Sequence, residues 1–146
     1  CYDSAMGSMT LAAPNKQELA WLADNLARAR AMATKYGGDA TLAGLDGLWT
    51  TWCAALRESG DDPNPLINMV GIALGQHLVD TLGLAWVLAT DDAGTELAVH
   101  GQPNDVLIYP CNLVGKRWQS GETDFVARVG GELVRDISAL QRAATS

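Results

Sequence analysis

Apolar residues recur at three- and four-residue steps in the N-terminal half of the chain, which is the spacing of amphipathic helices. Over 15–36, Leu19, Leu22, Leu26, Ala29 and Ala33 share one face, with Trp21 and Met32 widening its flank. Asn15 followed by Glu18 is a capping-box arrangement, and Gly37-Gly38 is a stop. Over 45–59, Leu45, Leu48, Trp49, Trp52 and Leu56 form a narrow stripe with Cys53 at its margin, and Gly60 ends it. The third helix is predicted over 64–82, with Asn64 as cap, Pro65 at the first helical position and Gly83 as C-cap. Its apolar residues point in nearly every direction, so it is expected at the centre. Gly71 and Gly75 are one turn apart on this helix. Asn68, Gln76, His77 and Asp80 interrupt the run, which argues for close packing of another backbone rather than a membrane helix.

After Gly83 the period changes to two. Residues 84–89 are almost continuously apolar, as in a strand covered on both faces. Residues 95–100 alternate, with Leu97 and Val99 opposite Glu96 and His100, and 106–109 form a third strand ended by Pro110. Asp91-Asp92-Ala93-Gly94 reads as a hairpin loop with Gly94 at positive φ, and Gly101-Gln102-Pro103-Asn104 as a second turn. Residues 111–118 are ambiguous, although Pro110 can start a short helix there. The last helix is predicted over 123–143, with Phe125, Val129, Leu133, Ile137 and Leu140 inward and Arg128, Arg135 and Arg142 along the far side. The expected fold class is α+β: three N-terminal helices, a three-stranded antiparallel meander and a C-terminal helix. Leu48, Trp52, Val70, Leu74, Trp86, Leu88 and Leu133 are the expected core.

Several of these residues form an ordered series: Gly71-x-Ala73-x-Gly75, then Leu84-x-Trp86-Val87, then Asp91 and Gly94 of the hairpin, then Pro110, Asn112, Val114, Lys116-Arg117-Trp118 and Gly121-Glu122. Over about residues 66–125 this resembles bacterial proteins of the domain of unknown function 3806 family. The resemblance implies a small cytoplasmic bacterial domain. It implies no established reaction and carries over no catalytic residue.

Residues 1–8 read CYDSAMGS before Met9, like an expression scar, so a single domain is expected over 9–146. No secretory signal is read after Met9, and the expected location is cytoplasmic. The 10 Lys and Arg against 17 Asp and Glu give a net charge of −7, which speaks against a nucleic-acid partner and suits a basic protein. No apolar run is long enough for a membrane span, so no membrane partner is expected. Asp80 lies one turn from His77, and with Cys111 they could form a thiol nucleophile, its base and an orienting carboxylate. The plainer reading of His77 is a core-edge histidine, and that of His100 an exposed rim residue. Two histidines in different elements make no metal set, and no cofactor motif is present.

The segment Lys116-Arg117-Trp118 concentrates what the acidic chain otherwise lacks, a cationic pair beside an indole. A helix starting near Thr123 would add free N–H groups that favour an anion. Alternatively Trp118 packs down and Lys116 and Arg117 pair with nearby carboxylates. The sequence therefore leads to a non-catalytic binding or protein-interaction module of unknown partner, with Lys116, Arg117 and Trp118 as its binding residues. The alternative is a small thiol- or histidine-dependent enzyme using Cys111 or His77. A homodimer is expected through the open edges of a small sheet.

Overall fold

A computed structural model describes residues 9–36, 42–102 and 105–145. The elements run β1 (Thr10–Ala12), α1 (Lys16–Ala33) with a 3-10 turn over Thr34–Tyr36, α2 (Leu42–Ser59), α3 (Asn64–Leu82), β2 (Ala85–Asp91), β3 (Gly94–Gly101), β4 (Val106–Ile108), α4 (Pro110–Ser120) and α5 (Val126–Thr145). The class is α+β, as expected, but the sheet has four antiparallel strands in the order β1-β2-β3-β4, not three. Thr10, Leu11 and Ala12 pair with Thr90, Ala89 and Leu88. Three residues are too few to show a period of two, and the strand exists because β2 offers an edge. Among the described residues the helices number five rather than four, because the ambiguous segment after Pro110 is helical. The expected stop at Gly37-Gly38, residues 1–8, and Pro103-Asn104 of the second turn lie outside the described residues.

Local signals set most boundaries. Asn15 and Glu18 close the capping box reciprocally, Asn15 Oδ1 accepting from Glu18 N at 2.9 Å and Glu18 Oε1 from Asn15 N at 2.7 Å. Gly83 ends α3 at φ +70°, and Gly94 sits at φ +130° in the hairpin. The start of α3 is shifted by one residue: Asn64 is already helical and Pro63 takes the cap position, with no side-chain bond to it.

α3 is the central element, with eleven buried residues. On one side it packs with Ala29 and Ala33 of α1, Leu45, Leu48, Trp49 and Cys53 of α2, Val114 of α4, and Phe125, Val126 and Val129. Further along, Leu78 and Leu82 meet Leu84, Val99 and Ile137, with Trp86, Val106 and Ile108 at the margin. The two glycines explain how close this packing is. A Cβ at Gly71 would fall 2.7 Å from the Cα of Cys111, and one at Gly75 would fall 2.3 Å from the Trp86 ring and 2.8 Å from Pro110. The start of α4 thus lies directly on the α3 backbone, a close approach that no side chain allows.

The expected core is only partly realised. Leu48, Val70 and Leu74 are fully buried, whereas Trp86, Leu88 and Leu133 are half-buried. Trp52 is 39% exposed and lies outside the core. The reason is Asp46, a buried carboxylate on α2. Its burial turns the inward face toward Asp46, Trp49 and Cys53 and leaves Trp52 on the flank. On β2 and β3 both faces carry buried positions: Val99 on one and Ala89 and Ala98 on the other. Register places Trp86, Val99 and Ile108 on the side of α3, and the alternating Val87, Ala98 and Leu107 on the other.

Asp46 also starts α5. Its two carboxylate oxygens accept from Val126 N at 2.6 Å and Ala127 N at 2.9 Å. The first N–H groups of a helix lack partners within it, and here a carboxylate 80 residues earlier supplies them.

Candidate functional site

The segment singled out by its charges is the C-terminal half of α4 and the turn after it. Trp118 is half-buried, edge-on to Trp49 with ring centroids 6.4 Å apart. The guanidinium of Arg57 stacks over its ring at 3.9 Å and donates to its carbonyl. Arg117 lies 5.6 Å from the Phe125 ring and places Nε 3.7 Å from Glu122 Oε1, and Glu122 also accepts from Arg128. Lys116 is exposed. So Arg117 and Trp118 are engaged in joining α2, α4 and the start of α5, and Lys116 alone of the three is exposed. The helix end expected to help them bind an anion begins at Val126 rather than Thr123, and Asp46 occupies it.

The thiol constellation does not assemble as a hydrogen-bonded set. Asp80 accepts from Gln76 at 2.8 Å, and Gln76 in turn accepts from the Trp86 indole at 3.0 Å. Among the described residues no hydrogen bond joins His77 to Asp80 or to Cys111. Burial pushes the Cys111 thiol up to about 11, and the charge of Glu96 adds to the rise. Burial pushes Cys53 up to about 11 as well, against the opposing charge of Arg57. A catalytic thiol needs the reverse shift. His100 is half-buried at the sheet rim, with Nε2 3.3 Å from Asp105 Oδ1.

Open space gathers elsewhere, on the sheet side of the molecule. Where α1, the start of α3, β3 and α4 meet, a groove of about 430 Å3 is lined by Trp21, Ile67, Glu96, Leu97, Cys111 and Trp118, with four side-chain amides among them. A second hollow of about 370 Å3 lies against Glu18, Trp21, Leu88 and Glu96, and a third of about 350 Å3 against Asp91, Glu96 and Tyr109. Glu96 lines all three and Trp21 two of them. Their carboxylates are Glu18, Asp91 and Glu96, and no Lys, Arg or His lines any of them. The ion pairs among the described residues lie at other carboxylates, so Glu96 carries an uncompensated charge. Its field is felt locally: after burial, Asp91 and Glu96 raise the Tyr109 phenol further.

One family model matches part of the chain. The description Domain of unknown function (DUF3806) fits residues 58–128, from the end of α2 through α3, the β2–β4 meander and α4 into α5. Those residues belong to the domain of unknown function 3806 family. No curated protein and no solved structure matches the chain. The family's span thus contains Glu96, Leu97, Cys111 and Trp118 of the groove, while Trp21 comes from α1, outside it. Sequence reasoning put Trp21 on the flank of the first helix and Glu96 on the polar side of its strand without a role for either, and passed over Asp46. One signal for Glu96 was legible: residues 84–109 contain Asp91, Asp92, Glu96 and Asp105 and no Lys or Arg.

Proposed function

We propose that the chain is a non-catalytic protein-interaction module of the bacterial cytoplasm, and that its partner presents a basic surface to the sheet side. The observation carrying this reading is segregation of charge. All 10 Lys and Arg fall on helical segments, while the meander holds four carboxylates and no cation. The groove and hollows beside it are lined by carboxylates and by no cation, which favours and orients docking of a basic surface. Trp118 keeps a place in that surface through the groove, whereas Arg117 serves the joint between helices. The raised thiol of Cys111 supports the non-catalytic reading over a thiol enzyme. The expectation of a homodimer rests on the edge strands β1 and β4, each three residues long. Sedimentation at high concentration decides it, dimer mass supporting it and monomer mass alone refuting it.

The test is crosslinked capture by the parent and by a variant carrying D91N, D92N and E96Q. The expected result is a basic protein retained by the parent, released by added salt and lost by a variant that melts like the parent. Retention by the variant, or binding indifferent to salt, overturns the reading. A turnover abolished by C111S or H77A would establish the enzyme instead.

A further inference from the structure

We infer that the groove between α1 and α4 receives an arginine side chain of the partner, with Trp21 as its stacking platform and Glu96 as its counter-charge. This rests on the interaction-module reading and names what that module recognises. Trp21 is 40% exposed and lines two hollows together with Glu96, so a tryptophan is presented to solvent in the same hollows as a carboxylate. A cation over an indole is attracted by the negative ring face, and tryptophan is the strongest such platform. The chain already makes this contact once: Arg57 lies 3.9 Å from the centroid of the Trp118 ring. That ring therefore has a guanidinium on it, and Trp21 supplies the second platform of the groove.

Glu96 decides the sign of the ligand. An anion would meet three carboxylates across the three hollows and no cation. A purely apolar ligand would strip water from Glu96 without replacing it. A guanidinium satisfies both features, because it stacks flat and donates two parallel N–H bonds to a carboxylate. Its remaining donors find the amide oxygens of Asn64, Asn68 and Asn112, which also line the groove. An ammonium has neither a plane to stack nor a fork for Glu96, so lysine fits less well. The volume of about 430 Å3 exceeds one side chain, leaving room for the flanking peptide backbone.

The experiment titrates the intact, isotope-labelled chain with acetyl-Gly-Arg-Gly-amide and with the same peptide carrying citrulline, lysine or glutamate. The readout is the Trp21 indole N–H signal, assigned from the W21F spectrum. The arginine peptide is expected to shift it saturably, with a dissociation constant of about 1 mM for so small a contact. Citrulline, glutamate, or the E96Q variant with the arginine peptide should each weaken binding measurably, by about two- to fivefold, which is the loss of one exposed charge pair. No saturable shift overturns the inference, as does equal binding of citrulline, equal binding of lysine, or indifference to E96Q. If these probes fail while the D91N, D92N, E96Q variant still loses its captured protein, only the arginine assignment falls. If both fail, the interaction reading falls with it.

Discussion

Replacing Gly71 by alanine tests the close approach on which the whole packing of α4 depends. In an open helix interior the change from glycine to alanine stabilises by about 1 kcal/mol, since the backbone loses less freedom on folding. At Gly71 the new Cβ would lie 2.7 Å from Cys111 Cα, 2.8 Å from its Sγ and 3.0 Å from its N. Carbon atoms pack best at about 3.5–4.0 Å, so the overlap approaches one ångström. Two of the three atoms belong to backbone, and Pro110 beside them is itself held against Gly75. α4 must therefore move as a unit. Overpacking of this kind costs about 1–3 kcal/mol, which exceeds the propensity gain at all but the low end. Gly131 is the internal control, since it lies within α5 with nothing within 4 Å of its Cβ position. Urea unfolding followed by tryptophan fluorescence should lower the midpoint for G71A and raise it slightly for G131A, with slopes unchanged. In heat the net loss, up to about 2 kcal/mol, corresponds to a fall of up to about 7 °C, given an unfolding entropy of about 2.1 cal/mol/K per residue. Adding C111A removes the clash with the sulfur but leaves the clash with the α4 backbone, so it should not restore G71A. If G71A is as stable as the parent or more so, α4 does not cross α3 at this glycine and the packing of these two helices is wrong.

Three other outcomes follow from single groups. D46A leaves the first N–H groups of α5 without an acceptor in a buried place, which should cost about 2–4 kcal/mol, while D46N keeps one acceptor and loses less; a loss under about 0.5 kcal/mol for D46A would remove this cap. In a C1S protein, Cys53 and Cys111 should react with a chromogenic disulfide about a hundredfold more slowly at pH 8 than a free thiol, and with two equivalents only in denaturant. One fast equivalent in the native state would contradict the burial of Cys111. The same shifts set a pH dependence: both thiols stay protonated in the folded chain up to about 11 while unfolded thiols ionise near 9, so their contribution is complete below pH 9. Stability should fall as pH rises from 9 toward 11, and a double C53A, C111A variant should flatten the slope.

Helices α1, α2, α3 and α5 were legible because each carries its own period, whereas α4 was marked only by the proline that starts it. Asn15 with Glu18, Gly60, Gly83 and Pro110 act over one or two turns, and such local geometry needs no partner from elsewhere. The two close glycines of α3 were equally readable as a place where another backbone packs. β1 was not, because Thr10–Ala12 becomes a strand only by pairing with β2. Trp52 was misplaced for a related reason. A helical wheel ranks residues by hydrophobicity, but the inward face of α2 is turned by Asp46, and the use of that carboxylate lies 80 residues away at Val126.

The same division holds for the candidate site. Sequence order alone determined the acidic balance and the meander without a basic residue. It also set Lys116, Arg117 and Trp118 side by side, where their density of charge and ring drew attention. Only the tertiary structure decided that Arg117 and Trp118 meet Phe125, Glu122, Arg57 and Trp49, since each of those partners comes from another element or from the turn between two. It also brought Trp21 of α1 to the same groove as Glu96 of β3. Residues 75 positions apart share no period and no motif, and α3, packed between the helices and the sheet, is what brings them together.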